Sequence, residues 1–154
     1  MVQQSTYRLA TIASVVVVAA LIIGLIVYNK GFGDYSSHAR TTVQEFGALM
    51  QNVSLLSPDA STTIATVYGP YAIPELIAQW QKDPEHAPGR LTSSPWPDHI
   101  TIKSITKQGS GYIVSGEVAL MTSDGPAGTT PVVIQVVPVD GVWLIAAYQE
   151  QVTS

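Results

Sequence analysis

From Leu9 to Tyr28 the chain runs for twenty residues, LATIASVVVVAALIIGLIVY, without one charged side chain. A helix of that length, rising about 1.5 Å per residue, spans about 30 Å, the thickness of a bilayer's hydrocarbon core. The pattern predicts a transmembrane helix over 9–28, behind a short cytoplasmic head, 1–8, and ahead of a juxtamembrane linker, 29–40. A cleaved signal peptide has a shorter apolar core and a small-residue cleavage site. This run ends in Ile26-Val27-Tyr28-Asn29-Lys30 and has no such site. Tyr7 and Tyr28 bracket it, as aromatic residues do at the two membrane interfaces. Arg8 and Lys30 nearly balance the positive charge on its two sides, so orientation rests on the bulk of the chain: head inside, C-terminal domain outside. Ala10/Ser14 and Ala20/Gly24 are small-xxx-small pairs of the kind that lets membrane helices approach closely.

Beyond the run the periodicity changes twice. From Thr41 to Leu56, Val43, Phe46, Met50 and Val53 recur at helical spacing, with Ser36 or Ser37 as candidate caps. Ser57-Pro58-Asp59 ends that pattern. A shorter helix is expected from Asp59 to Tyr68, burying Ile64, Val67 and Tyr68. A third is expected from Pro74 to Lys82, where proline suits the first helical position and Glu75 the first turn. Asp83 to Asp98 holds four prolines in sixteen residues and forbids regular structure. Alternation then takes over. Strands are expected over His99–Lys107, Tyr112–Thr122, Pro131–Val139 and Val142–Gln149, with Ser123–Thr130 as a loop and Asp140-Gly141 as a two-residue hairpin turn. In the last strand Trp143, Ile145 and Ala147 are expected on one side. Helices followed by an antiparallel meander imply an α+β fold, with two or three helices packed on one face of a four-stranded sheet.

Composition narrows the role. From Gly31 onward five basic residues face eleven acidic ones, a formal charge of −6. That balance offers no footprint for nucleic acid and no attraction to anionic lipid. The chain has no cysteine, which removes disulfides, thiolate metal sites and cysteine nucleophiles together. An exported domain without stapling bridges fits a bacterial protein.

The last hairpin, Val136-Val137-Pro138-Val139-Asp140-Gly141-Val142-Trp143-Leu144-Ile145, resembles the penultimate strand, tight turn and final G-x-W-L-I strand of the NTF2-like (cystatin-like) superfamily. The stretches Tyr71–Trp80 and Ala87–Asp98 resemble a group of short, single-pass bacterial membrane proteins. The resemblance covers about residues 40–152, the expected extracytoplasmic domain being 41–152, and implies helices lying in the concavity of a bent antiparallel sheet. Its functional content is thin, because this fold carries enzymes, binders and assembly modules alike.

Candidate chemistry is sparse. Pro95-Trp96-Pro97-Asp98 holds an indole between two rigid residues and is the candidate partner-contact site, since a preordered aromatic loses little entropy on binding. The alternative is that Trp96 plugs one end of the core. Asp98 and His99 are an acid beside a histidine, but neighbours on a regular strand point to opposite faces. His86 with that pair matches no metal spacing, and His38 is expected to be exposed. Tyr68, Tyr71, Tyr112, Tyr148 and Glu117 are the donors and carboxylate that an enzymatic cone would need, yet none lies in a transferable motif. No catalytic residue, metal or cofactor is assigned. The expectation is a membrane-anchored, non-catalytic binding or assembly module of the bacterial cytoplasmic membrane, contacting the bilayer through 9–28 and either another envelope protein or a second copy. The rival is a small-ligand-binding or enzymatic cone. A cone lined by Tyr, His and a carboxylate would favour the rival; one filled by Phe46, Trp80 and aliphatics would favour the module.

Overall fold

The computed structural model describes residues 34–151. The head, the transmembrane run 9–28, its small-xxx-small pairs and the start of the linker lie outside the described residues. Among the described residues no helix is long and apolar enough to cross a membrane. By internal contacts the chain divides at Asp34/Tyr35, and the second unit is the α+β domain.

Three helices precede four strands: α1 (Ser36–Leu49), α2 (Ala60–Tyr68), α3 (Pro74–Lys82), then β1 (Trp96–Gln108), β2 (Gly111–Thr122), β3 (Gly125–Val139) and β4 (Val142–Glu150). The strands form one antiparallel sheet in the order β1-β2-β3-β4. Single 3-10 turns follow α1 at Met50–Asn52 and α3 at Pro84–His86. The expected α+β arrangement of three helices on a four-stranded antiparallel sheet and the bounds of the third helix hold; several other boundaries do not.

α1 begins at Ser36, five residues ahead of the Thr41 start that periodicity suggests. Its N-cap is Tyr35 and carries no side-chain capping bond, so neither Ser36 nor Ser37 is the cap. What holds the extra turn is packing: Ala39 is fully buried. The helix stops at Leu49 rather than Leu56, because Val53–Leu55 leaves it to pair with Arg90. The Arg90 amide donates to the Val53 carbonyl at 2.8 Å and the Leu55 amide donates to the Arg90 carbonyl at 2.9 Å. Most of the expected loop 123–130 is strand, since β3 starts at Gly125 and only Ser123 and Asp124 turn the chain.

The core lies between the helices and one face of the sheet. Val43, Phe46, Met50, Ile64, Tyr68 and Trp80 meet Ile100, Val114, Val118, Val132, Ile134, Val136 and Ile145 there. Phe46 stands at the centre, with ring centroids 4.7 Å from Tyr68, 6.1 Å from Trp80 and 5.9 Å from Tyr148. The face of the sheet turned to the helices is therefore covered by aromatic rings and aliphatics. α1 crosses β1 closely at Gly47, where an added Cβ would sit 2.9 Å from the Ile100 backbone nitrogen.

Two polar ties lock helices to the rest. Thr42 Oγ1 donates to the Trp143 carbonyl at 3.2 Å, joining α1 to β4. Tyr68 Oη donates to the Pro88 carbonyl at 2.7 Å, joining α2 to the proline-rich segment. The outer edge of β4 is engaged at its middle: the Ile145 amide donates to Tyr71 O at 2.7 Å and the Ile73 amide to Ile145 O at 3.0 Å.

Candidate functional site

β1 is irregular in two places, and both irregularities shape the side of the sheet facing away from the helices. Pairing jumps from Pro97↔Leu120 to His99↔Ala119, and from Ile102↔Gly116 to Ser104↔Ser115. Asp98 and Lys103 are thus extra residues, β-bulges that bend the strand and turn side chains out of strict alternation. The expectation that Asp98 and His99 point to opposite faces fails for this reason. Asp98 Oδ2 lies 2.7 Å from His99 Nδ1, and Thr101 Oγ1 lies 3.3 Å from His99 Nε2. The second bulge places Lys103 Nζ 3.1 Å from Glu117 Oε2.

Cross-strand partners share a face, so the register defines this outer surface. Trp96 opposes Met121, His99 opposes Ala119, Thr101 opposes Glu117 and Val137 opposes Leu144. Ile113 and Val133 stand on the same side. Trp96, Ile113, Ala119, Met121, Val133, Val137 and Leu144 are all half-buried, and none belongs to the core cluster. The surface is mixed: Asp98, His99, Thr101 and Lys103 of β1, Ser115 and Glu117 of β2 and Gln135 of β3 lie among these apolar side chains.

The expected contact segment divides. Pro95 is exposed and follows a cis peptide bond from Ser94, Trp96 is half-buried as the first residue of β1, Pro97 is buried, and Asp98 is the bulge residue. Trp96 thus belongs to the outer sheet surface and does not plug the helix-side core. Sequence spacing had no means of revealing that placement, because it depends on the bulge two residues later.

Two adjoining grooves of about 380 and 360 Å³ run beside β4 and share His86, Tyr148 and Gln149. His86 Nδ1 lies 2.9 Å from Asp83 Oδ2, both groups exposed, and that carboxylate raises the imidazole pKa above its ordinary 6.5. Tyr148 Oη donates to Glu150 Oε1 at 2.7 Å. Burial and then the Glu150 charge push the Tyr148 phenol well up, and burial does the same to Tyr68, so both hydroxyls stay protonated donors. His86 and His99 pair with different carboxylates and do not come together. Among the described residues no group of three His, Asp or Glu side chains is placed to hold a metal ion.

A third cleft, about 320 Å³, lies at the other end of the domain between α1, Pro70-Tyr71 and the β3–β4 turn, lined by His38, Thr41, Glu45, Val142 and Trp143 among others. His38 is exposed, as expected, and its ring stacks at 5° on the Trp143 indole with centroids 6.4 Å apart.

No protein-family model matches the chain, and no curated protein matches it. Among solved structures it is similar to a chain titled Rd1NTF2_05, a variant with five substitutions. The two are 15% identical, the match covers 77% of this chain and 100% of that one, and the TM-score is 0.44.

Proposed function

We propose that this protein is a membrane-tethered, non-catalytic binding module of a bacterial cell envelope. In this reading it has NTF2-like architecture, stands outside the cytoplasmic membrane, and docks a partner protein on the outer face of its sheet. The observation that carries the reading is the division of the sheet into two unlike faces. The face turned to the helices is packed with buried aromatic rings, Phe46 against Tyr68 and Trp80. The outer face keeps seven half-exposed apolar side chains beside ordered polar pairs at Asp98–His99 and Lys103–Glu117. A surface that mixes apolar side chains, an aromatic at its β1 corner and ordered polar pairs suits protein docking.

The test is a photo-crosslinking residue at Met121 in the full-length protein in native membranes, beside the same residue at Gln44 on the wet side of α1. A reproducible protein adduct from Met121 alone, weakened by Trp96→Ala, is the expected result. Equal capture from both positions, or none from Met121, contradicts it.

A second reading rests on the paired grooves beside Tyr148, where Asp83–His86 and Tyr148–Glu150 would offer both donors and acceptors to a small polar ligand. A ligand screen that moves the His86 ring resonances, with no effect of Trp96→Ala, would favour that reading instead.

A further inference from the structure

The Tyr71–Ile73 strap occupies the middle of the outer margin of β4 and then turns away at Pro74, where α3 begins. The strand itself runs on to Glu150. Its hydrogen bonds fix which way its backbone points. Ile145 gives both its N–H and its C=O to the strap, so it faces away from β3. The extra residue Ala146 shifts the alternation by one. The Gln151 amide donates to the Pro131 carbonyl at 2.8 Å, so residue 151 faces β3. Alternation between those two points sends the N–H and C=O groups of Tyr148 and Glu150 away from β3. Among the described residues no backbone group pairs with them on that side.

The two adjoining grooves lie along this stretch, and every residue from Ala146 to Glu150 lines one or the other. Their remaining walls supply two unlike things. Leu55, Leu76 and Trp80 are apolar and buried, and Leu91, 52% exposed, is an apolar rim. Asp83, Glu85 and Glu150 contribute carboxylates, and no lysine or arginine lines either groove. Tyr148 and Glu150 are partners of the core residues Ile134 and Val132, so they share the helix-side face of the sheet. Every second side chain of a strand added beside them falls on that same face, over the grooves. A lysine or arginine there lays its apolar stem along Leu91 or Leu76 and keeps its charged head among the carboxylates.

We propose that an extended, basic peptide segment of a partner protein adds as a fifth strand to β4 at Tyr148–Glu150. Main-chain hydrogen bonds give such a segment its hold, and the acidic grooves select its side chains. The strap at Tyr71–Ile73 already pairs with this margin, so the margin accepts backbone from outside the β-meander. The stretch is short, which suits a peptide rather than a whole sheet. The proposal needs neither the tether nor the outer sheet face, and it gives the grooves a peptide in place of a small polar ligand.

The test follows amide hydrogen exchange in the full-length protein in non-ionic detergent. The probes are the capped heptapeptides KVKVKVK and EVEVEVE, and KVKVKVK with every backbone nitrogen methylated, which keeps its charge but donates no backbone hydrogen bond. The expected result is severalfold slower exchange of the Tyr148 and Glu150 amides with unmodified KVKVKVK alone, the amides of β2 being unchanged. Replacing Glu85→Gln and Glu150→Gln together should weaken that effect severalfold. Equal slowing by the methylated peptide overturns strand addition, and equal slowing by EVEVEVE overturns the basic class. Binding without a change at 148 and 150, or no binding of KVKVKVK, overturns the proposal whole. Trp96→Ala should leave every one of these readings as it was, so failure here leaves the outer-face reading standing.

Discussion

Phe46 is fully buried and touches an aromatic ring from each of α2, α3 and β4. Phe46→Ala should cost about 3–5 kcal/mol, the usual range for emptying a core aromatic site, read by denaturant unfolding. Trp143 is only half-buried and sits at the rim, so Trp143→Ala should cost clearly less in the same assay. His86 offers a separate test. Its partner Asp83 favours the charged imidazole, so its titration midpoint, followed by NMR, should lie above 6.5 and fall back toward it in Asp83→Asn. The sign for stability follows: the favourable interaction is fully present below the unfolded value and is lost as pH rises through the raised folded value. Both groups are well exposed, so water screens the pair and its effect on unfolding is small.

At the level of elements, the helices and the alternation of β2 were legible because each has a clean period. Leu76, Ile77 and Trp80 mark the buried side of α3, and Tyr112, Val114 and Val118 that of β2. What escaped were the bulges. In β4 the pairing jumps from Gln135↔Ala147 to Val136↔Ile145, leaving Ala146 as an extra residue. Trp143 and Ile145 face the core as expected, but Ala147 is exposed and Tyr148 takes its place against the core. A bulge leaves no reliable trace in composition, since it is set by the twist the sheet needs to wrap its helices. The contact of Gly47 with β1 is likewise a tertiary fact invisible to helical periodicity. Gly47→Ala must push α1 off the Ile100 backbone, which does not yield as a side-chain tip would. Overpacking of this kind costs about 1–3 kcal/mol, against the small gain alanine brings elsewhere in a helix, and differential scanning calorimetry should show a lowered Tm.

For the whole molecule, hydropathy alone separates an apolar run from a single α+β domain, and the order of helices and strands gives the layer arrangement. The two faces of the sheet were only partly legible. Alternation in β2 put Ser115 and Glu117 opposite the core, but it took the full register to show that Trp96, Met121 and Leu144 share that outer side. This division predicts unlike consequences for two tryptophans. Trp96→Ala on the outer face should leave thermal unfolding nearly unchanged, whereas Trp80→Ala, in the core at 4% exposure, should lower Tm strongly. Comparable losses in calorimetry would mean that Trp96 supports the fold and has no reserve for a partner.

The strap of Tyr71–Ile73 along β4 has a consequence for how copies of this domain can meet. A sheet with two open margins can add neighbours without limit, each new chain exposing the next margin, and so grows into a fibre. Here one margin is interrupted at Ile145, where both backbone groups are already taken, and the other belongs to the twice-bulged β1. Both margins are thus interrupted, β4 by the Tyr71–Ile73 strap and β1 by its bulges, and neither offers an incoming strand an unbroken ladder.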